Sequence, residues 1–280
     1  MKHKKHFITL VCLVIGMLVF TSAVYANYDD AKGYSNYKKA LKYLAFEANN
    51  YTAKYDTAIT IDGEKTHSDI STYKCADGNN SQYTKSFSTY DGQNHEFESY
   101  SYVNGKMSYN YYPKENMYYQ SEVYKEGNGS LMGTNDATAK KAYRFAELLA
   151  DTLIGDLKNN VILTSSENGI NKYAINVSGN QIPEIVNAGL SLLFTANNSE
   201  NNADEEMAMF GNEPYIDNVI FKVTLDKEGR LIENEIEASL VGNDKNGKKH
   251  KGVMKGNILI FNYGTTTVDV FNPEGKTKGN

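Results

Sequence analysis

Residues 51–78 read YTAKYDTAITIDGEKTHSDISTYKCADG, and this stretch decides the fold. From Tyr51 to Ile61, apolar or aromatic residues alternate with polar ones, which is the period of a strand with one covered face. Turn-forming pairs that tolerate positive φ angles then recur at nearly even spacing: Asp62-Gly63, Asp77-Gly78, Asp91-Gly92 and Asn104-Gly105. The first half of the chain is therefore predicted to be a meander of antiparallel strands.

The same periodicities place further elements along the chain. Strands are predicted near 51–61, 67–76, 81–90, 94–103, 106–112, 116–124, 160–166, 171–177, 215–225, 230–241, 248–254, 257–262 and 265–271. Helices are predicted at 35–48, 135–158 and 183–194, and the third is apolar nearly all round, so it needs cover on more than one side. The Asn-rich acidic stretch 198–213 is predicted to be a mobile loop, with a lid that carries a small apolar tip as the alternative.

The first 26 residues have the composition of a secretory signal peptide. Three lysines precede an uncharged apolar run from Phe7 to Phe20, and Val24-Tyr25-Ala26 offers small residues to a signal peptidase. An uncleaved N-terminal membrane anchor is the alternative, because about 20 residues lack charge. We expect cleavage of 1–26, export of the mature chain, and a single monomeric domain over 27–280.

Composition narrows the possible partners. Removal of the signal takes away three lysines and no acid, so the formal charge moves from −5 to −8, and nucleic acid is not an expected partner. Cys75 is then the single cysteine, so no intramolecular disulfide can form. A lone thiol in a strand is typical of a small buried residue.

The chain has no Trp and 22 Tyr, and many of the tyrosines lie in the predicted meander. Tyrosine suits half-buried sheet surfaces, where the ring packs and the hydroxyl stays in water. One cluster could stack on carbohydrate: Tyr109, Tyr111, Tyr112, Tyr118, Tyr119 and Tyr124. Ordinary filling of the strands is the interpretation we favour, because alternation explains most of these positions.

No catalytic motif is found in the sequence. The histidines that follow the signal lack the spacing of a zinc protease, and no Gly-x-Ser-x-Gly elbow occurs. Two carboxylate pairs could serve a glycosidase, since alternation puts each pair on one face: Glu96 with Glu98, and Glu233 with Glu235. The turn from Asp244 to Gly247 lacks the first and last ligands of a calcium loop, which favours a plain hairpin. We expect no catalysis, no cofactor and no metal.

The order of elements carries a resemblance to a known group. A helix, a long meander, a helix and further strands, with a closing hairpin FKVTLDKEGR at 221–230, resemble the LolA/LppX-like lipoprotein-carrier half-barrel superfamily, and most of all its exported Gram-positive members. The resemblance covers essentially the whole mature chain, which lacks the lipobox of the lipid-binding lipoproteins. It implies an α+β fold in which a curled antiparallel sheet, an incomplete barrel, holds helices on its concave face over an apolar cavity.

The expected function is that of an exported, non-enzymatic protein that binds a lipid or other hydrophobic ligand. A curled sheet must cover its apolar inner face, and imperfect cover leaves an apolar pocket. The residues predicted to line it are Ile59, Ile61, Phe145, Leu149, Ile185, Leu193, Phe221 and Val223. The alternatives are an extracytoplasmic sensory or interaction module, whose Tyr-rich face contacts cell-wall glycan or a surface protein, and a glycosidase.

Overall fold

The computed structural model of the chain describes residues 31–90, 92–123, 141, 144, 161–198 and 205–279. The predicted signal peptide 1–26 lies outside these residues, as does most of the predicted helix 135–158, of which residues 141 and 144 are described and are helical. Within the described part, none of the helices combines the length and the apolar character needed to cross a membrane.

Most of the described residues belong to strands, so this part of the chain fits the all-β class better than the predicted α+β class. The strands are β1 (Asn50–Ile61), β2 (Glu64–Ala76), β3 (Asn79–Tyr90), β4 (Gln93–Asn104), β5 (Met107–Tyr112), β6 (Met117–Glu122), β7 (Val161–Glu167), β8 (Ile170–Ser178), β9 (Tyr215–Leu225), β10 (Leu231–Asn243), β11 (Lys249–Phe261) and β12 (Thr277–Lys278). The helices are α1 (Ala31–Phe46), α2 (Glu184–Asn198) and the short α3 (Glu205–Ala208).

All twelve strands form one curled sheet in the order β12-β6-β5-β4-β3-β2-β1-β11-β10-β9-β8-β7. Every neighbouring pair is antiparallel except β12 and β6. The sheet is unclosed, because β12 and β7 lie at its two ends. Its centre joins distant parts of the sequence, since β1 pairs with β11 along ten residue pairs from Thr52–Phe261 to Ile61–Gly252.

The predicted turn chemistry is confirmed at two of the four pairs. At Asn104-Gly105 only the glycine has a positive φ angle, 62°, since Asn104 is the last residue of β4, and Asp91 lies outside the described residues. Asp62 and Gly63 have φ angles of 52° and 92°, and Asp77 and Gly78 have 51° and 82°. Two successive positive φ angles define the type I′ turn, whose twist matches that of the flanking strands. Asn168 and Gly169 repeat the pattern between β7 and β8.

The register divides the sheet into two faces. We call the face that carries Tyr51 and Ala53 the inner face, and the other the outer face. On the inner face, helix α1 packs against β9 and β10, and α2 packs against β9. The ring of Tyr37 in α1 meets Phe221 edge-on at 6.0 Å. That these helices lie on a concave side stays a prediction.

Helix α2 buries one stripe of its surface. Val186, Leu190 and Phe194 are buried at four-residue spacing, as expected for one side of a helix. Leu192 is 71% exposed, so the cover predicted on more than one side of this helix does not reach that position.

Three predicted elements of the C-terminal half differ in the structure. The strands expected at 248–254 and 257–262 form one continuous strand, β11. The strand expected at 265–271 is wrong, since these residues have no regular structure. Within the stretch predicted as a mobile loop, 205–208 form α3 and Phe210 is buried, with its ring edge-on to Phe194 at 6.2 Å.

After β11 the chain crosses the outer face of β1 to β6 as a strap, residues 262–279, that includes the parallel strand β12 near its end. Its side chains bond to successive strands. Thr266 meets Thr52 of β1 at 2.9 Å, and Asp269 accepts a hydrogen bond from Lys74 of β2 at 2.8 Å. Near its end, the Gly279 amide donates to the Tyr118 carbonyl at 2.8 Å.

Candidate functional site

The predicted cavity residues fall into two groups. Three of them lie together in the buried core of the inner face: Ile61, Phe221 and Val223. Ile59 lies on the same face and is half-buried. The remaining four side chains lie outside the described part: Phe145 and Leu149, and Ile185 and Leu193 of helix α2.

Beside that core lies a strip of half-buried apolar side chains, which we call the inner strip. Its members come from β1, β10 and β11: Ile59, Ile236, Leu240, Met254 and Ile258. Cross-strand pairing places them together, since Ile59 lies opposite Met254 on β11. Gly256 lies at the centre of the strip, opposite Ile236, and carries no side chain. A Cβ at that position would lie 3.1 Å from the Ile236 methyl group, so Ile236 already occupies much of the space that the glycine leaves.

A group of tyrosines lines one end of the inner strip. The Tyr51 ring lies 6.0 Å from Tyr73 and 6.2 Å from Tyr263. Burial raises the pKa of all three phenols, so they stay protonated and neutral. The Tyr263 hydroxyl donates to the Leu231 carbonyl at 2.7 Å, whereas the buried Tyr51 hydroxyl has no hydrogen-bond partner among the described residues. This end is therefore apolar with neutral hydroxyls.

The opposite end of the inner strip is closed by Phe210. Its ring packs over Gly252, where an added Cβ would lie 2.8 Å from the ring, and its backbone meets Gly242. Met207 and Met209 pack beside it against the core. Two glycines on neighbouring strands thus make room for an aromatic residue from the chain segment that follows α2.

The lysines of the strands lie on one face of the sheet. The register places every Lys of strands β1 to β11 on the outer face. Several of them pair there with acids, as in Lys222 with Glu235 at 2.8 Å and Lys255 with Glu237 at 3.0 Å. The inner face of these strands therefore carries no lysine, but it does carry His67, opposite Ile59, and Asp69, whose side chains lie 2.6 Å apart. The inner strip itself is apolar, which suits an uncharged ligand.

The candidate carboxylate pairs of the glycosidase hypothesis lie on this outer face. Glu235 pairs with Lys222, and Glu233 accepts a hydrogen bond from Thr224 at 3.2 Å. Glu96 lies 3.6 Å from Lys85, and Glu98 accepts from a tyrosine hydroxyl. No group of three or more potential metal ligands occurs among the described residues. These contacts belong to a solvated strand surface.

One polar cluster around a buried histidine has no counterpart in the sequence predictions. His250 Nδ1 lies 2.7 Å from Asp62 Oδ2, and Nε2 lies 3.7 Å from Asp244. The Lys251 amide and His250 hold the pKa of Asp62 below its ordinary value. Asp244 also accepts the amides of Asn246 and Lys248, which makes the plain hairpin that the sequence predicted. The cluster joins two neighbouring turns. None of the contacts just described involves a nucleophilic side chain.

A cleft that the sequence does not predict lies where β10 separates from β11. The ladder between these strands begins at Glu233–Leu259, and beyond it opens a cleft of about 580 Å³. Its walls include Ile232, Leu259 and Phe261. At its edge the Arg230 guanidinium lies 4.7 Å from the Tyr263 ring centre. No local sequence pattern marks a position where two strands diverge, so this cleft could not be predicted.

The predicted tyrosine cluster is split between the two faces. Tyr109, Tyr111 and Tyr118 lie on the outer face, and Tyr112 and Tyr119 lie on the inner face. Tyr124 lies outside the described residues. Phe271 of the strap packs on the outer group, at 4.8 Å from Tyr109 and 5.0 Å from Tyr118. Part of the predicted carbohydrate surface is therefore covered by the protein itself.

No protein-family model and no curated protein match the chain. Solved structures align with it at low identity. LprF from Mycobacterium bovis has 12% identity and a TM-score of 0.30, over 85% of this chain and 97% of that one. An uncharacterized conserved protein from Thermus thermophilus has 8% identity and a TM-score of 0.27, over 89% of this chain and 98% of that one.

A third such structure is the LolA superfamily protein NE2245 from Nitrosomonas europaea, with 9% identity and a TM-score of 0.18, over 87% of this chain and 96% of that one. The superfamily that the order of elements resembles is thus represented among the structures that align with the chain. These scores carry no functional argument, so function is inferred from the contacts of this chain alone.

Proposed function

We propose that the protein is an exported, non-enzymatic binding protein for a lipid or other hydrophobic ligand. The ligand lies on the inner face of the sheet, against the inner strip. The signal-like segment 1–26 supports export, and the position of the candidate carboxylates on a solvated surface supports a role without catalysis. Of the eight predicted lining residues, Ile59 belongs to the inner strip, and Ile61, Phe221 and Val223 lie in the core beside it. A lining role for Phe145, Leu149, Ile185 and Leu193 stays a prediction.

The observation that carries the proposal is the partial exposure of the inner strip. Ile236, Met254 and Ile258 lie beside a fully buried core, yet each keeps part of its side chain accessible. Burial of apolar surface is favourable by about 25 cal/mol per Å², so such a strip gains free energy when an apolar molecule covers it. The neutral tyrosines at one end and the position of the strand lysines on the other face favour an uncharged or weakly polar ligand.

Native mass spectrometry of the purified protein tests the proposal. We expect a bound hydrophobic molecule that is released on denaturation, and binding of an anthracene-labelled fatty acid methyl ester when that molecule has been removed. The Met254→Gln variant should bind several-fold less of the label. The matched control is Val253→Gln, because Val253 is the preceding residue of β11, is also half-buried and lies on the outer face.

Two results would contradict this function. One is a clean ligand-free mass together with no binding of the labelled methyl ester. The other is an equal loss of binding in the two variants, which would show that a general loss of stability, and not contact on the inner face, explains the effect.

A further inference from the structure

A row of four tyrosines crosses the outer face perpendicular to the strands. Tyr83 of β3 lies directly opposite Tyr100 of β4, which lies opposite Tyr111 of β5, which lies opposite Tyr118 of β6. We call these four the tyrosine row. Adjacent rings are close, with centres 5.0 Å apart between Tyr83 and Tyr100 and 6.1 Å apart between Tyr100 and Tyr111. All four residues are half-buried, so each keeps an accessible part.

One end of the tyrosine row is already occupied by a ring from the chain itself. Phe271 of the strap packs on Tyr118 at 5.0 Å and reaches Tyr111 at 6.3 Å. It is buried, while its neighbour Val270 is 75% exposed. The strap thus shows that this surface accepts a flat, ring-shaped group, and it leaves the Tyr83 and Tyr100 end uncovered by Phe271.

Polar side chains lie beside the tyrosine row and form its border, and they include both hydrogen-bond acceptors and a donor. On the Tyr100 side, Glu98 accepts a hydrogen bond from the Tyr100 hydroxyl at 3.3 Å. On the Tyr111 side, Asn116 accepts from the Tyr111 hydroxyl at 3.2 Å, and the Lys276 amine lies 5.2 Å from the Tyr111 ring centre. Burial, and then the Glu98 carboxylate, raise the pKa of Tyr100, so its hydroxyl remains a donor.

The chemistry of this border separates the possible ligands. A purely apolar chain would exclude water from the carboxylate, the amide and the amine beside it without replacing the lost hydrogen bonds, which is costly. A nucleic acid binds to a positively charged surface, because its phosphates are negative. The border of the tyrosine row carries both a carboxylate and an amine, and the chain has a net charge of −5. A sugar ring has apolar C–H groups on its faces, which pack against aromatic rings. Its hydroxyl groups form hydrogen bonds with both donors and acceptors.

We propose that the tyrosine row is a binding site for a linear oligosaccharide of β-linked pyranose units. At the end that Phe271 leaves open, each sugar would lie against one tyrosine, since neighbouring strands are about 4.8 Å apart, close to the length of one unit in such a chain. Tyr83 and Tyr100 supply the open platform, and Glu98 and Lys276 bond hydroxyl groups at its two sides. This site lies on the opposite face from the inner strip and is independent of the hydrophobic ligand proposed there.

Calorimetric titration of the full mature chain with a β-1,4-linked N-acetylglucosamine hexamer, and with a β-1,4-linked glucose hexamer, tests the site. We expect saturable binding of at least one hexamer. Tyr100→Ala should weaken it at least tenfold. Tyr119→Ala is the matched control, because Tyr119 lies on the inner face of β6 and is 41% exposed. That variant should bind as the unchanged protein does.

A second variant keeps the test decisive if Tyr100→Ala does not fold. Glu98→Gln preserves the shape of the surface and removes a charged acceptor, so we expect affinity to fall several-fold with an unchanged circular dichroism spectrum. Absence of binding by both hexamers at millimolar concentration would overturn the proposal. Equal affinities of the unchanged protein and the Glu98→Gln and Tyr100→Ala variants would overturn it too.

Discussion

Phe271→Ala is expected to release the strap from the sheet while leaving the helix-covered core intact. The Phe271 side chain is 8% exposed and lies among four tyrosine rings, the nearest at 4.8 Å. Replacing a buried Phe by Ala typically costs about 3–5 kcal/mol, and a ring held on a sheet surface by one segment belongs near the lower end. The side-chain contacts that join the strap to β1 and β2 are individually weaker. The exposed Lys74–Asp269 ion pair contributes about 0–1 kcal/mol, and the Thr52–Thr266 hydrogen bond about 1 kcal/mol.

A loss of about 3 kcal/mol corresponds to roughly a hundredfold rise in the opening equilibrium of the strap. Amide hydrogen exchange measures this directly at Thr277 and Gly279, whose amides donate to the carbonyls of Asn116 and Tyr118. Amides of β9 and β10 should keep their protection, because these strands make their contacts elsewhere. Val270→Ala is the control in the same segment. Unchanged protection at Thr277, or an equal fall throughout the sheet, would refute this account.

Three further perturbations follow from the described contacts. Gly252→Val is expected to destabilise the fold by roughly 1–3 kcal/mol in urea unfolding, because its Cβ would lie 2.8 Å from the Phe210 ring. Asp62→Asn should flatten the fall in stability at acid pH. The pKa of Asp62 is lowered in the fold, so its stabilisation is present above about pH 4 and is lost as the pH falls through the lowered pKa. Cys75 should resist alkylation by iodoacetamide at pH 8 until the protein unfolds, because it is fully buried and burial raises the pKa of its thiol.

Controls and contrary results distinguish these three effects from general destabilisation. Gly189→Ala, at an open helical position, serves as the control for the glycine, and an equal loss in both variants would dismiss the packing explanation. An unchanged acid limb of the stability curve in Asp62→Asn would show that this carboxylate does not control it. Rapid labelling of native Cys75 would contradict its burial.

The meander could be predicted because its signals are local. Asp62-Gly63 and Asp77-Gly78 adopt the positive φ angles that their residue types favour, and the alternation between them sets the faces of β1 and β2. The prediction divides β11 into 248–254 and 257–262, on either side of Gly256, and a glycine inside a strand often marks a bulge or a close backbone approach. In the structure this glycine lies opposite Ile236, whose side chain occupies the space, and the strand continues.

The strap and the inner strip could be predicted only in part. In the segment 265–271, Thr266 and Phe271 are both buried although they are five positions apart, which strict alternation would place on opposite faces. Alternation also does not reveal whether the backbone pairs with a neighbouring strand. The predicted cavity residues Ile61 and Phe221 are core, and the accessible apolar positions are instead Ile236 and Met254. The difference depends on how the helices cover the sheet, which no short-range pattern encodes.

The pairing of β1 with β11 has a consequence for how the chain folds. Thr52 and Thr266 bond across the same junction although 214 residues separate them in sequence. The central ladder of the sheet can therefore form only when residues 249–261 are available, and closing so long a loop before the contacts form slows folding. A chain with this topology is expected to remain open, with its strand edges accessible, until synthesis of β11 is complete. That delay suits the proposed export, which requires a chain that crosses a membrane unfolded.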